Sequence, residues 1–329
     1  RSLRFIPDDM KIDLEVRVTN ADQFQFKNGD KAAAEILNYG NVLEAKITRI
    51  LGSKGQNGLD MIALLNDFGI SADYPQDVLD AAERIPQTVS AKDKEGRKDL
   101  TGYPFITIDG ADAKDFDDAV YLEKRDDQTW HLNVAIADVS YYVVFGSPID
   151  GEAYRRTSSV YVPGMAVNML PKELSNGICS LNPDETRLTM SVDMIISPEG
   201  KTIAADIYPS IIRSRCRMTY SKANRILEND PDMTKTYNTI APMILDMGQC
   251  AEKIRCRRKE NGAVEFESDE PEFDLDENGN VLAIRSKSSG KAEMMIEDFM
   301  IAANTAVASA LHHRKAPAVY RVHDKPTDK

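Results

Sequence analysis

The 329 residues are 42% hydrophobic and 29% charged, an ordinary soluble composition that predicts about two domains, each with ample core-forming residues. The formal net charge of −12 speaks against a chain that is basic all over, the usual footprint of phosphate binding. Much of the negative excess is local, however, in residues 109–118 and 265–277, and basic residues cluster separately.

Residues 1 to about 70 read as short strands and turns: LRFIP, IDLEVRVT, AAAEILNYG with its glycine stop, and NVLEAKITRILG. The pattern predicts a small β-domain over 1–72, either an oligonucleotide-binding barrel of the OB or cold-shock kind or a generic five-stranded unit. The helix-like PQDVLDAAERI and the charged KDKEGRKDL then connect to a second domain over 73–329. Its PFITI, AVYLEK, WHLNVAIADVSYYV and LTMSVDMIIS are rich in β-branched and aromatic residues and predict one larger sheet. Helical patterns follow at 219–228, 236–260 and 291–313, so the fold class is α+β, with a mixed α/β second domain. The most apolar stretch, 294–311, is interrupted by Glu297, Asp298 and Asn304, which predicts a half-buried helix and no membrane span.

Cys179, Cys216, Cys250 and Cys256 form no CxxC pair and have no zinc spacing with the histidines, which predicts a reduced, cytoplasmic chain without structural zinc. No leader-like segment is present, and the Arg-Ser-Leu start predicts a fragment.

Two motif lookalikes fail on counting. Asp274 to Gly279 copies the start of an EF-hand loop, but the twelfth position is Arg285, where a bidentate glutamate is required, and Asn278-Gly279 predicts a hairpin. Gly200-Lys201-Thr202 resembles the end of a phosphate-binding loop, yet Ile195 stands where glycine is needed, so a second hairpin is predicted.

The segment Asp109-Gly-Ala-Asp112-Ala-Lys-Asp115-Phe-Asp117-Asp118 places five carboxylates in one loop between two predicted strands. Like charges at this spacing either raise their pKa values or bind a cation. All-oxygen donors without histidine or cysteine select Mg²⁺, or Mn²⁺, over zinc or copper. The chemistry such a site offers is two-metal phosphodiester hydrolysis, with ions about 3.5–4 Å apart on the scissile phosphate. A solvated acidic loop is the plain alternative, and Phe116 with the flanking apolar strands weighs against it.

PFITIDGADAKDFDDAVY, WHLNVAIADVSYYV, SVYVPGMAVNMLPKELSNGICSLNPDETRLTMSV and YRVHDKP together resemble the ribonuclease II and ribonuclease R family of RNB-domain exoribonucleases, on its ribonuclease R side. The resemblance runs from about residue 90 to the end, while 1–72 fits the family's cold-shock-type domain loosely. It implies a processive 3′-to-5′ exoribonuclease that releases nucleoside 5′-monophosphates from single-stranded RNA. Asp109, Asp115, Asp117 and Asp118 match the family's metal and catalytic aspartates, with Asp117 foremost in catalysis. Asp112 has no matched role and is expected to be salt-bridged or supporting. Tyr161 and Phe266 match two aromatics that stack on RNA bases, against the alternative of core aromatics. Tyr220 and Glu297 match residues that hold ribose hydroxyls. The arginines at 213, 215 and 217 and the basic run 253–259 are candidates for the phosphate backbone, the second also explained by the helix dipole. Asp138 is expected to be structural.

The resemblance also marks what this chain lacks: the family's later Ser-Pro-Ile-Arg-Arg-Tyr segment, which supplies an arginine to the phosphate, and its C-terminal S1-type domain. The expected protein is therefore a monomeric single-stranded-RNA enzyme with no small-molecule cofactor and no membrane partner. The alternatives are a fragment that only binds RNA, and a generic Mg²⁺ phosphodiesterase.

Overall fold

Strand β3 (Val42–Gly52) shows how the first unit is built, with β1 (Glu15–Val18) and β2 (Lys31–Asn38) on its two sides in the order β1-β3-β2. Its alternation buries Leu43, Ala45 and Ile47 on one face, as a half-covered strand demands. β1 runs parallel to β3 and β2 antiparallel. The buried Asn20 side chain donates to the Ile47 carbonyl and accepts from its N–H, both at 2.9 Å. A helix, α1 (Leu59–Asp67), buries Leu59, Ala63 and Leu65. The expectation of strands and turns up to residue 70 missed it.

The structure is a computed structural model and describes residues 5–9, 11–264, 270–276, 281–287 and 289–322. The chain divides into two units: residues 1–74, 155–169 and 271–286 form one, and residues 75–154, 170–270 and 287–329 the other.

The second unit opens with α2 (Gln76–Glu83) and then lays down β4 (Lys98–Asp99), β5 (Ile106–Asp109), β6 (Asp118–Lys124) and β7 (Trp130–Ala137). A short helix α3 (Val139–Tyr142) and α4 (Pro148–Arg156) lead to the hairpin β8 (Val160–Val162) and β9 (Met165–Val167), which belongs to the first unit. Back in the second unit come β10 (Thr186–Ile196), β11 (Thr202–Arg213) and β12 (Cys216–Thr219), then α5 (Tyr220–Leu227), α6 (Pro231–Thr236) and α7 (Ala241–Glu260). The paired strands β13 (Glu270–Leu275) and β14 (Val281–Lys287) precede α8 (Lys291–His313).

Seven of these strands form one sheet in the order β12-β5-β6-β7-β10-β11-β4. One face, with Ile108, Val120, Leu132 and Met194, packs on α5, α7 and α8 through Ile226, Met247 and Phe299. By length and composition α8 could cross a membrane, but Ala292, Met295, Phe299 and Ala303 are buried in this core, so it is a core helix. Its buried Asp298 accepts from Arg255 Nε and Nη2 at 2.9 and 2.7 Å and from Arg258 Nη1 at 2.6 Å.

Turn chemistry decides both lookalikes. Gly200 sits at φ +79° between β10 and β11, and a Cβ there would meet the Lys253 carbonyl, so glycine serves a hairpin and not a phosphate. The Asp274 segment lies on β13, which pairs with β14; the turn residues 277–280 fall outside the described residues. The predicted helix 236–260 starts later, at Ala241, and a short helix that the sequence reading did not include, α6, precedes it over Pro231–Thr236. Asp230 caps α6 by accepting from Asp232 N and Met233 N, Pro231 occupies its first turn, and the chain leaves the helix before α7 starts at Ala241.

Candidate metal and catalytic site

β5 and β6 are antiparallel neighbours, with Ile106 opposite Val120, so their connecting loop returns at one edge of the sheet. Asp109 ends β5 and Asp118 starts β6, which puts these two carboxylates at the same end of adjacent strands. The apolar runs on either side fix that placement, because Ile106, Ile108, Val120 and Leu122 must all reach the helix-covered face.

The loop between them is tied down at its backbone. Phe116 is buried, its N–H donates to Ser180 Oγ at 3.0 Å, and its carbonyl accepts from Leu181 N at 2.8 Å. Ser180, itself fully buried, donates to the Lys114 carbonyl at 3.1 Å, and Ala137 N donates to the Asp117 carbonyl at 2.8 Å. The loop has no secondary structure of its own, so these bonds supply what a strand ladder would.

The Asp109 carboxylate is not fully provided for in this way. Asp109 Oδ2 is buried without a hydrogen-bond partner among the described residues. Burial pushes the Asp109 carboxyl up to about 7, with Asp118, Asp115 and Asp117 adding repulsion and Arg217 opposing it. Asp118 is raised to about 6, by burial first and Asp117 next. Asp117 is also raised, by lost hydration and by Asp115. Because Asp117 is exposed, that loss is partial.

Tyr220 joins this group. Thr219 stands opposite Asp109 in the β12–β5 register, and Tyr220 follows as the first residue of α5. Burial, then Asp109, Asp118 and Glu293, push its phenol up to about 12, so it stays a hydrogen-bond donor at neutral pH. Glu293 was not singled out by sequence. It lies in the first turn of α8 and accepts from Asn224 Nδ2 at 2.9 Å, while Asn224 Oδ1 accepts from Ala292 N at 2.8 Å. The signal available was its spacing of four from Glu297, which places both on one helical face.

The other candidates fall elsewhere. Glu297 is exposed on α8. Tyr161 is 66% exposed on the β8–β9 hairpin, within the first unit, so it is not a core aromatic. Phe266 lies outside the described residues. Asp112 is exposed and forms no ion pair among the described residues, which corrects the expectation of a salt bridge: the loop turns it outward between the tethered carbonyls. Asp138 is structural as expected, accepting from Arg97 Nη2 at 2.6 Å and Ser140 Oγ at 3.0 Å.

The basic sets are largely engaged within the fold. Arg213 reaches Thr186 Oγ1 at 3.4 Å, Arg215 donates to the Thr101 carbonyl at 2.9 Å, and Arg217 to the carbonyls of Ala111 and Ala113 at 2.6 and 3.0 Å. Arg255 and Arg258 clamp Asp298.

Four carboxylates with an unmet acceptor suit a hard cation, whose charge would lower every one of the raised pKa values. Among the described residues no three His, Cys, Asp or Glu side chains form a ready-made cage. Mg²⁺ needs none, since it keeps several waters and takes one or two carboxylates together with substrate phosphates.

Comparison with known proteins matches these elements to two family models, a cold shock domain over residues 5–75 and an RNB domain over residues 97–329. Ribonuclease R of Thermotoga maritima is 42% identical over 327 residues, 98% of this chain and 46% of the relative. Ribonuclease R of Escherichia coli is 38% identical over 282 residues, 86% of this chain and 35% of the relative. Among solved structures, Mycoplasma genitalium RNase R in complex with ribose methylated single-stranded RNA superposes with a TM-score of 0.86 at 30% identity, covering 95% of this chain and 49% of that one. The chain thus spans less than half the length of these relatives. With an N-terminal cold-shock domain, an RNB domain over most of its length and this identity to ribonuclease R proteins, the chain belongs to the RNB-domain family.

Proposed function

We propose that this chain carries the metal-binding part of a hydrolytic 3′-to-5′ exoribonuclease that acts processively on single-stranded RNA and releases nucleoside 5′-monophosphates. The observation that carries the proposal is the Asp109–Asp118 edge: partly buried carboxylates with raised pKa values and an unpartnered oxygen. Relatives named ribonuclease R, and an RNase R solved with single-stranded and with double-stranded RNA, support RNA as the ligand.

Asp109, Asp115, Asp117 and Asp118 would hold Mg²⁺, or Mn²⁺. When bound, the ion supplies a water of lowered pKa and neutralises charge on the leaving 3′ oxygen. Asp117, the most solvent-facing of the raised carboxyls, would orient the attacking water and take its proton. Tyr220 offers a donor and Glu297 an acceptor, and a ribose 2′-hydroxyl can satisfy both at once, which DNA cannot. Tyr161 presents an exposed ring for stacking on a base, an interaction worth roughly 1–3 kcal/mol with no sequence preference. Phe266 is proposed as the second ring. A monomeric cytoplasmic protein belongs to the same proposal.

The test is digestion of a 5′-labelled single-stranded RNA with Mg²⁺, beside an Asp117→Asn variant and a DNA of the same sequence. The expected outcome is a ladder shortening from the 3′ end, lost in the variant and absent for DNA. RNA that is retained in a gel shift and stays intact in every lane would replace this reading with that of an RNA-binding module.

A further inference from the structure

Arg217 reaches across to the aspartate loop through two hydrogen bonds, and it does so in a way that charge balance does not require. Its Nη2 donates to two loop carbonyls, Ala111 O at 2.6 Å and Ala113 O at 3.0 Å, and to no aspartate oxygen. Its guanidinium lies 4.9 Å from the centre of the Phe116 ring, the buried anchor of the same loop. It is on β12, opposite Thr107 of β5 and two residues before the Thr219–Asp109 pair, so its backbone is fixed to the strand that ends in Asp109.

We infer that Arg217 is a positioning residue for the metal site: it sets the path of residues 111–116, and through that path the placement of Asp115 and Asp117 relative to Asp109. The inference rests on the metal-binding role proposed above. Three features support it. The loop has tethers on two sides, Ser180 and Leu181 on one and Arg217 on the other. Without the Arg217 tether, nothing in the bonds among the described residues holds the carbonyls of Ala111 and Ala113 to the sheet; the one further backbone bond at that end is the local turn of Ala113 N to Gly110 O at 3.3 Å. The fork is also what lysine lacks: one planar group meets two carbonyls and lies against an aromatic ring, whereas an ammonium is a compact point charge. A counter-charge role would be served by either residue, and would oppose cation binding.

The experiment compares the parent chain with Arg217→Lys, Arg217→Met and Phe116→Leu, reading Mn²⁺ affinity by electron paramagnetic resonance and amide hydrogen exchange of residues 110–117 without metal. Positioning predicts that all three variants bind Mn²⁺ about 10-fold more weakly, the usual scale for groups that orient ligands. It also predicts exchange in 110–117 at least about 10-fold faster, with β6 and β7 amides unchanged. Phe116→Leu keeps the guanidinium and so tests the same path if an Arg217 variant fails to fold. Unchanged exchange in the loop overturns the inference, as does a pattern in which lysine is neutral and methionine tightens Mn²⁺, the signature of a mere counter-charge. Should the parent itself bind no Mn²⁺, the metal reading fails, and the exchange data alone decide whether Arg217 sets the loop.

Discussion

Asp298 and Asp109 both lose water on folding within the same unit, and the fold treats them oppositely. Asp298 is 1% exposed, and two arginines from α7 donate three hydrogen bonds to its two oxygens. Burial raises its carboxyl, and those guanidiniums oppose the rise. Asp109 also ends on a core strand, but its neighbours are three more carboxylates, its Oδ2 has no donor, and its carboxyl is driven up to about 7. Burial alone therefore does not separate a structural acid from a functional one; the sign and reach of what surrounds it does. The first arrangement is complete within the chain, whereas the second leaves an acceptor unmet, which the proposed cation would fill.

The largest effect that follows is catalytic. Asp117→Asn should lower RNA hydrolysis by at least about 100-fold, the scale set by losing one group that acts on the transition state, while leaving the unfolding midpoint in urea nearly unchanged. Asp298→Ala should do the reverse. It strands Arg255 and Arg258, 20% and 32% exposed, and should cost about 3 kcal/mol in a urea unfolding titration. A variant that kept full stability would erase the contrast between the two sites.

Asp109→Asn sharpens it through pH. The folded-state pKa of about 7 lies above the ordinary 3.8, so the parent is protonated at this site in both states below pH 4. As pH rises from 4 to 7 the unfolded chain ionises freely and the folded chain does so at a cost, so stability falls over that window and then levels. Without metal, the variant should match the parent at pH 4 and exceed it at pH 8 by on the order of 1 kcal/mol, after allowance for screening at this partly exposed group. Asp112→Asn marks the bottom of the scale. It should shift stability by no more than about 0.5 kcal/mol and leave hydrolysis unchanged, because Asp112 is exposed and forms no ion pair among the described residues.

The sequence made the acid loop legible because its carboxylates interrupt two apolar runs whose alternation fixes where the strands end. The bounds of α8 and the Gly200 hairpin were legible for the same reason, local chemistry agreeing with tertiary need. What stayed hidden was long-range. Arg213, Arg215 and Arg217 form a basic cluster in sequence, yet each points to a different carbonyl or hydroxyl, which only the β12–β5 register and the strands around it determine. Asp298 was visible only as a break in an apolar segment, because its partners lie 40 and 43 residues away. α1 was missed since a nine-residue helix after a strand-rich stretch carries too few turns to declare its period. No linear reading displays that residues 155–169 and 271–286 group with residues 1–74.

The account stands most directly on whether the aspartate edge is a cation site, and thermal unfolding with and without Mg²⁺ at pH 8 measures that. A folded-state ligand at 100 times its dissociation constant stabilises by about 2.7 kcal/mol. The account predicts a concentration-dependent rise in the unfolding midpoint of the parent, absent in an Asp109→Asn/Asp118→Asn double variant and smaller at pH 5, where protons occupy the same oxygens. An equal rise in parent and double variant would contradict it.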